Sequence, residues 1–125
     1  MERLLAIVFA VMLATVGSKA QNAQISSVEL KGNWYSVYNE KGQKVKSLYA
    51  GNTGELKGYS ASFFICKKGS WYYLYDAKGN SYKTLYADNI GEIMGVAGDN
   101  FTARHGSWIY TFDRNGNRIA TRYAQ

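Results

Sequence analysis

The tryptophans of this chain fall at Trp34, Trp71 and Trp108, one every 37 residues. Three further series keep that period: Gly32, Gly69 and Gly106; Gly42, Gly79 and Gly116; Tyr49, Tyr86 and Tyr123. Residues 32–68 laid over 69–105 give 15 identities in 37, among them Asn52 with Asn89, Gly54 with Gly91, Glu55 with Glu92 and Gly58 with Gly95. A fixed period of this size marks one supersecondary unit stacked on copies of itself, because a single unit cannot bury its own apolar face. The fold question therefore reduces to the structure of one unit and the packing of three.

Each copy spells out its turns. Gly32-Asn33, Gly69-Ser70 and Gly106-Ser107 each stand just before a tryptophan, with glycine first and a small polar residue second. That order suits a two-residue type II′ hairpin, whose first position needs a positive φ. Further on, Asn39, Asp76 and Asp113 precede Gly42, Gly79 and Gly116 by three residues, the pattern of a side-chain-capped type I turn closed by a left-handed glycine. Between the turns run Trp34–Tyr38, Trp71–Tyr75 and Trp108–Phe112, all rich in aromatics and suited to strands. Val45–Tyr49, Tyr82–Tyr86 and Ile119–Tyr123 follow, then the Gly- and Asn-rich connectors Ala50–Gly54 and Ala87–Gly91, then Glu55–Ser60 and Glu92–Ala97. The count is about eleven short strands and no helix in the mature chain. The expected fold class is all-β: three tandem 37-residue antiparallel β-meander repeats, with units 21–50, 51–87 and 88–125 forming one domain over 21–125. Trp71–Tyr75 has apolar side chains on both faces, as in a sheet covered on both sides, so the units resemble propeller blades. Either three units close around a pseudo-threefold axis, in a barrel or trefoil-like arrangement, or chains associate as a homo-oligomer into a larger ring.

Residues 1–20 stand apart from this repeat. Arg3 precedes an apolar run from Leu4 to Val16, and Gly17-Ser18-Lys19-Ala20 supplies small residues before a cut after Ala20, the layout of a secretory signal peptide. The run is 13 residues long, short of the roughly 20 that span a bilayer. The expected location is secreted or periplasmic, with no membrane span after cleavage. The remainder carries 13 Lys and Arg against 8 Asp and Glu, a net +5 spread along the chain, which suits solubility better than a polyanion site. No nucleic acid partner is expected. Cys66 is the single cysteine, so stability rests on packing, not on an internal disulfide.

Lys68-Gly69-Ser70-Trp71-Tyr72-Tyr73-Leu74, with Gly79 closing the turn, resembles the hairpin of choline-binding and related cell-wall-binding repeats of Gram-positive surface proteins, and the Trp-plus-turn-Gly pattern is similar to WG-type repeats. The resemblance implies the hairpin geometry alone. Those families have a shorter period and build their choline site from an extra Gly-Trp pair that this chain lacks. Taken whole, the chain also resembles small exported repeat proteins of unknown function of Bacteroidetes type.

No arrangement of residues points to catalysis, a metal or a cofactor. His105, the one histidine, takes the place of Lys31 and Lys68 beside a hairpin glycine. Cys66 aligns with Ala103, a packing position, and Asp76, Asp113, Glu55 and Glu92 fall where turn capping explains them. The expected function is a non-enzymatic binding module for a glycan or cell-envelope polymer; the alternative is a structural or assembly protein that pairs with an envelope protein through strand edges or repeat–repeat contacts. Regular recurrence assigns Trp34, Trp71 and Trp108 to the core, with Gly42, Gly79 and Gly116 as turn residues. Tyr35 and Tyr72, on the opposite strand face, are then the candidate ligand-stacking residues, with Lys46 and Lys83 as polar partners. The third copy replaces both types, by Ile109 and Ala120.

Overall fold

The computed structural model describes residues 23–124; the signal-peptide expectation lies outside them. Eleven strands follow in order: β1 (Ile25–Lys31), β2 (Trp34–Asn39), β3 (Lys44–Tyr49), β4 (Glu55–Tyr59), β5 (Phe63–Lys68), β6 (Trp71–Asp76), β7 (Ser81–Tyr86), β8 (Glu92–Ala97), β9 (Asn100–His105), β10 (Trp108–Asp113) and β11 (Arg118–Tyr123). They form three antiparallel meanders: β1-β2-β3, β4-β5-β6-β7 and β8-β9-β10-β11. The all-β fold of three repeated meanders expected from the 37-residue period is the fold observed. Among the described residues the first sheet has no counterpart of β4 and β8.

The turns behave as their residues require. Lys31 pairs with Trp34, Lys68 with Trp71 and His105 with Trp108, leaving two-residue loops. Gly32, Gly69 and Gly106 have φ of 61°, 61° and 62°, and among the described residues no non-glycine residue has a positive φ, as a type II′ turn demands. At the opposite end, Asp76 Oδ1 accepts from the Lys78 and Asn80 amides at 2.9 and 3.0 Å, and Asp113 Oδ1 from the Asn115 and Asn117 amides at the same distances. Hydrogen bonding from the Asn117 amide, above all, holds the Asp113 carboxyl below its usual range.

The connectors depart from the helix-free expectation. Ala50–Thr53 and Ala87–Ile90 each make one helical turn, named α1 and α2. Their sequence carries no helical period, being a single turn long. What sets the conformation is the step from the outermost strand of one sheet to the inner strand of the next. The Ala50 amide donates to the Asn33 carbonyl at 2.8 Å, and the Gly54 amide returns to the Ala50 carbonyl at 2.9 Å; Ala87 and Gly91 repeat both bonds. Gly54 and Gly91 then leave the turn at φ of 92° and 97°, with their α-carbons so close to the Lys67 and Arg104 carbonyls that a side chain would collide. Only glycine meets both conditions.

The sheets stack face to face like blades, with β8 beside β4 at the inner side and β1 against β4. Among the described residues no backbone ladder joins one sheet to another, so these strands do not form a continuous barrel. One core cluster lies between the second and third sheets, built on Phe63, Ile65, Tyr72 and Leu74 against Ile93, Phe101 and Phe112. The other lies between the first and second, where Val28, Tyr35 and Val37 meet Phe64, Cys66 and Tyr75. Among the described residues no core cluster joins the first sheet to the third, so the three form an open stack. The outward faces are correspondingly polar. Asn100, Thr102 and Thr111 stand where the middle copy has Phe63, Ile65 and Leu74, and Ser27, Glu29 and Ser36 where it has Phe64, Cys66 and Tyr73. Apolar side chains are kept where another sheet covers them, the pattern of stacked repeats with polar outer faces on the end units.

Candidate functional site

The tryptophans are at the surface. Trp34, Trp71 and Trp108 are 51%, 44% and 45% exposed, which corrects their assignment to the core. Each is the first residue of its strand, directly after the hairpin glycine and its partner, and so lies at the end of the blade beyond the side chains that meet the adjoining sheet. Trp34 pairs across the strands with Tyr49, Trp71 with Tyr86 and Trp108 with Tyr123. The rings meet at 5.3, 5.1 and 5.4 Å between centroids, tilted by 62°, 59° and 79°. These edge-on contacts leave part of each indole open to solvent.

On the other side of each tryptophan, in register, stand Lys31, Lys68 and His105. Paired residues of an antiparallel ladder share a sheet face, so every copy presents a row of basic residue, Trp and Tyr at the same end of its sheet. The Lys31 ammonium donates to the Tyr38 hydroxyl at 3.3 Å, which with the Glu29 carboxylate raises its pKa. His105 Nε2 lies 2.9 Å from the Asp88 carbonyl of α2. The Asp88 carboxylate also raises the pKa of the Tyr86 phenol. A cleft of about 280 Å³ opens beside the third row, at the boundary of the second and third sheets, lined by Lys67, Glu92 and Arg104 as well as Asp88 and His105.

Tyr35 and Tyr72, the expected ligand-stacking residues, are buried at 5% and 1% exposure. The Tyr35 hydroxyl donates to the Gly54 carbonyl at 2.7 Å and accepts from the Leu56 amide at 3.1 Å. The Tyr72 hydroxyl donates to the Gly91 carbonyl at 2.7 Å and is bonded by the Ile93 amide. Burial raises both phenol pKa values. Each tyrosine is thus a post that receives the chain entering the next sheet. The third copy has Ile109 there, and among the described residues no strand follows for a hydroxyl to receive. Lys46 and Lys83 are placed elsewhere too. Lys46 pairs with Val37 and reaches Asn80 Oδ1 at 3.4 Å over the Gly79 turn, while Lys83 pairs with Leu74 and is exposed.

The other chemistry-bearing groups are accounted for. Cys66 is fully buried and burial pushes its thiol pKa up to about 12, so the thiolate needed for reaction is suppressed. Among the described residues no cluster of His, Cys, Asp and Glu is placed to hold a metal ion, and no helix is long and apolar enough to cross a membrane. The sequence signal for the exposed tryptophans was their position straight after the tightest turn of the repeat.

No family model and no curated protein matches the chain. Among solved structures it is similar to BamB from Moraxella catarrhalis, at 13% identity and a TM-score of 0.47, over 79% of this chain. It spans 35% of the length of that protein. A likeness of that degree adds nothing to the strand order and register described above.

Proposed function

We propose that the protein is a non-enzymatic, exported binding module for a glycan or a cell-envelope polymer, and that the ligand rests on the three Trp–Tyr rows. The observation that carries this reading is the exposure of three repeat-equivalent tryptophans, at 44–51%, each beside a tyrosine and a basic side chain. A repeated core would bury them. An indole open on one side offers a flat apolar surface to a sugar ring, and a lysine or histidine beside it supplies a polar contact that orients the ring. Sheets packed face to face lie about 10 Å apart, so successive rows suit a ligand that itself repeats along its length. Export is supported by the signal-like leader, and the absence of catalysis by the uses already found for His105, Cys66 and the turn carboxylates.

Tryptophan fluorescence during titration with purified envelope glycans tests the proposal. A saturable shift is expected, reduced by each of Trp34→Ala, Trp71→Ala and Trp108→Ala while the fold is retained. Undiminished affinity in the triple variant would overturn the assignment of the rows, and a parent protein silent to the whole panel would overturn the glycan reading.

A further inference from the structure

The ladders set a carboxylate opposite a cation in each of the two four-stranded sheets. Glu55 of β4 stands across from Lys67 of β5, and Glu92 of β8 across from Arg104 of β9. Neither couple closes into an ion pair. Lys57, whose side chain is only 16% exposed, draws both glutamates to itself, at 3.7 Å from Glu55 and 3.1 Å from Glu92. Its ammonium, ahead of the more distant Lys67, holds the Glu92 carboxyl below the usual range. The Asp88 carboxylate is engaged as well, by the Tyr86 phenol. The two cations are left over. Among the described residues the Lys67 ammonium has no hydrogen-bond or ion-pair partner and lies over the Tyr72 ring, 5.9 Å from its centroid. Arg104 donates through Nε to the Gly106 carbonyl at 3.1 Å, and its terminal nitrogens have no partner among the described residues.

Both cations line the cleft of about 280 Å³ between the second and third sheets, together with His105. The cleft joins the second Trp–Tyr row to the third. Lys67, Tyr72 and Ala87 adjoin Lys68, Trp71 and Tyr86 along the chain, and His105 belongs to the third row itself. All the lining residues fall between 67 and 106, well inside the described span. We propose that this cleft takes an anionic group, carboxylate or phosphate, carried by a glycan that lies across the second and third rows, a proposal that rests on the glycan reading of those rows and narrows it to acidic glycans. An anion set between an ammonium and a guanidinium gains charge-assisted hydrogen bonds, which are shorter and stronger than neutral ones. The planar fork of arginine matches a carboxylate or a phosphate through two bonds at once. The boundary between the first and second sheets has no equivalent pair of cations. Leu30 stands there in the place of Lys67, and Gly51 in the place of Asp88. One acidic subsite per chain is therefore expected, between two of the three stacking rows.

NMR titration of the protein with oligogalacturonate and with its methyl ester, which loses the charge and keeps the sugar chain, tests this. The acid form should shift the indole N–H signals of Trp71 and Trp108 and the amides of Lys67, Arg104 and His105, and should bind severalfold more tightly than the ester, whose shifts should be confined to the indoles. Lys67→Gln combined with Arg104→Gln should abolish that preference, and Lys44→Gln, at the outer edge of the first sheet, should leave it intact. A phosphorylated mannan before and after phosphatase treatment makes the same comparison for phosphate, so the pair that is discriminated identifies the source of the charge. Equal affinity for the charged and uncharged members of both pairs, a preference that survives in the double variant, or cleft amides unmoved by every ligand would each overturn the proposal. Indoles that stay still while the cleft amides shift would overturn the tryptophan rows and uphold the anion site, so the two readings fail separately.

Discussion

Trp71 and Tyr72 are neighbours on one strand and have opposite fates. Tyr72 is 1% exposed in the core between two sheets, and Trp71, the larger and more apolar residue, is 44% exposed. Successive strand residues point to opposite faces, so the two necessarily part. Which one is buried depends on what stands opposite. Tyr72 meets the third sheet and finds partners for its hydroxyl in the Gly91 carbonyl and the Ile93 amide, so its burial leaves no polar atom unsatisfied. Trp71 sits at the strand's first position, beside the hairpin, where the facing sheet leaves nearly half of it uncovered. Recurrence in a repeat therefore marks a shared position, and burial has to be established separately.

The comparison breaks most readily at Tyr72. Tyr72→Ala should cost about 3–5 kcal/mol in urea denaturation, enough to unfold a marginal domain, because it empties the centre of a packed boundary. An equal loss in Trp71→Ala would erase the distinction between the two residues. Gly91→Ala tests the other end of the same link. A positive φ of 97° and the adjacent Arg104 carbonyl predict a loss of roughly 1–3 kcal/mol, read from the same transition. Tyr72→Phe keeps the ring and removes the hydroxyl. Leaving the Gly91 carbonyl and the Ile93 amide without their partner should cost about 1–2 kcal/mol, and a variant as stable as the parent would show that the hydroxyl post is dispensable. Trp71→Ala should cost about 1 kcal/mol, the worth of its contact with Tyr86, and should act on ligand binding far more than on the melting temperature. The smallest effect is electrostatic. Asp113 has its folded pKa lowered by the Asn117 amide, so its contribution is present above the unfolded pKa and is lost as pH falls through the folded one. Asp113→Asn should flatten that acid limb slightly, and an unchanged limb would show that the turn bonds do not survive in solution.

Much of the fold was legible because the repeat states it three times. The hairpin glycines, the Asx turns and the aromatic strands are local devices, and local chemistry suffices to place them. The connectors were misread because one turn of helix has no period to detect, and theirs is anchored by the Ala50 amide bonding to the Asn33 carbonyl of the hairpin and closed by the Gly54 amide bonding back to Ala50. The site was misread for a different reason. Alternation separated Trp71 from Tyr72 correctly, but both faces of β6 meet another sheet and it left open how far along the strand each cover reaches, and the loss of tyrosine at Ile109 looked like the loss of a ligand contact. It is the loss of a post at a position where no strand follows among the described residues.

By itself the sequence determined the period, the strands, the turns, the number of units and the separation of each strand's side chains into two sets, since all of these follow from residue type and spacing within about forty positions. The tertiary structure decided how far along each strand the neighbouring sheet covers it, that the second sheet is covered on both faces, and that the tyrosine hydroxyls hold the entering strands. Those facts depend on what lies across the gap between sheets, on residues one full repeat away, and solvent exposure is a property of that arrangement and not of any single stretch of chain.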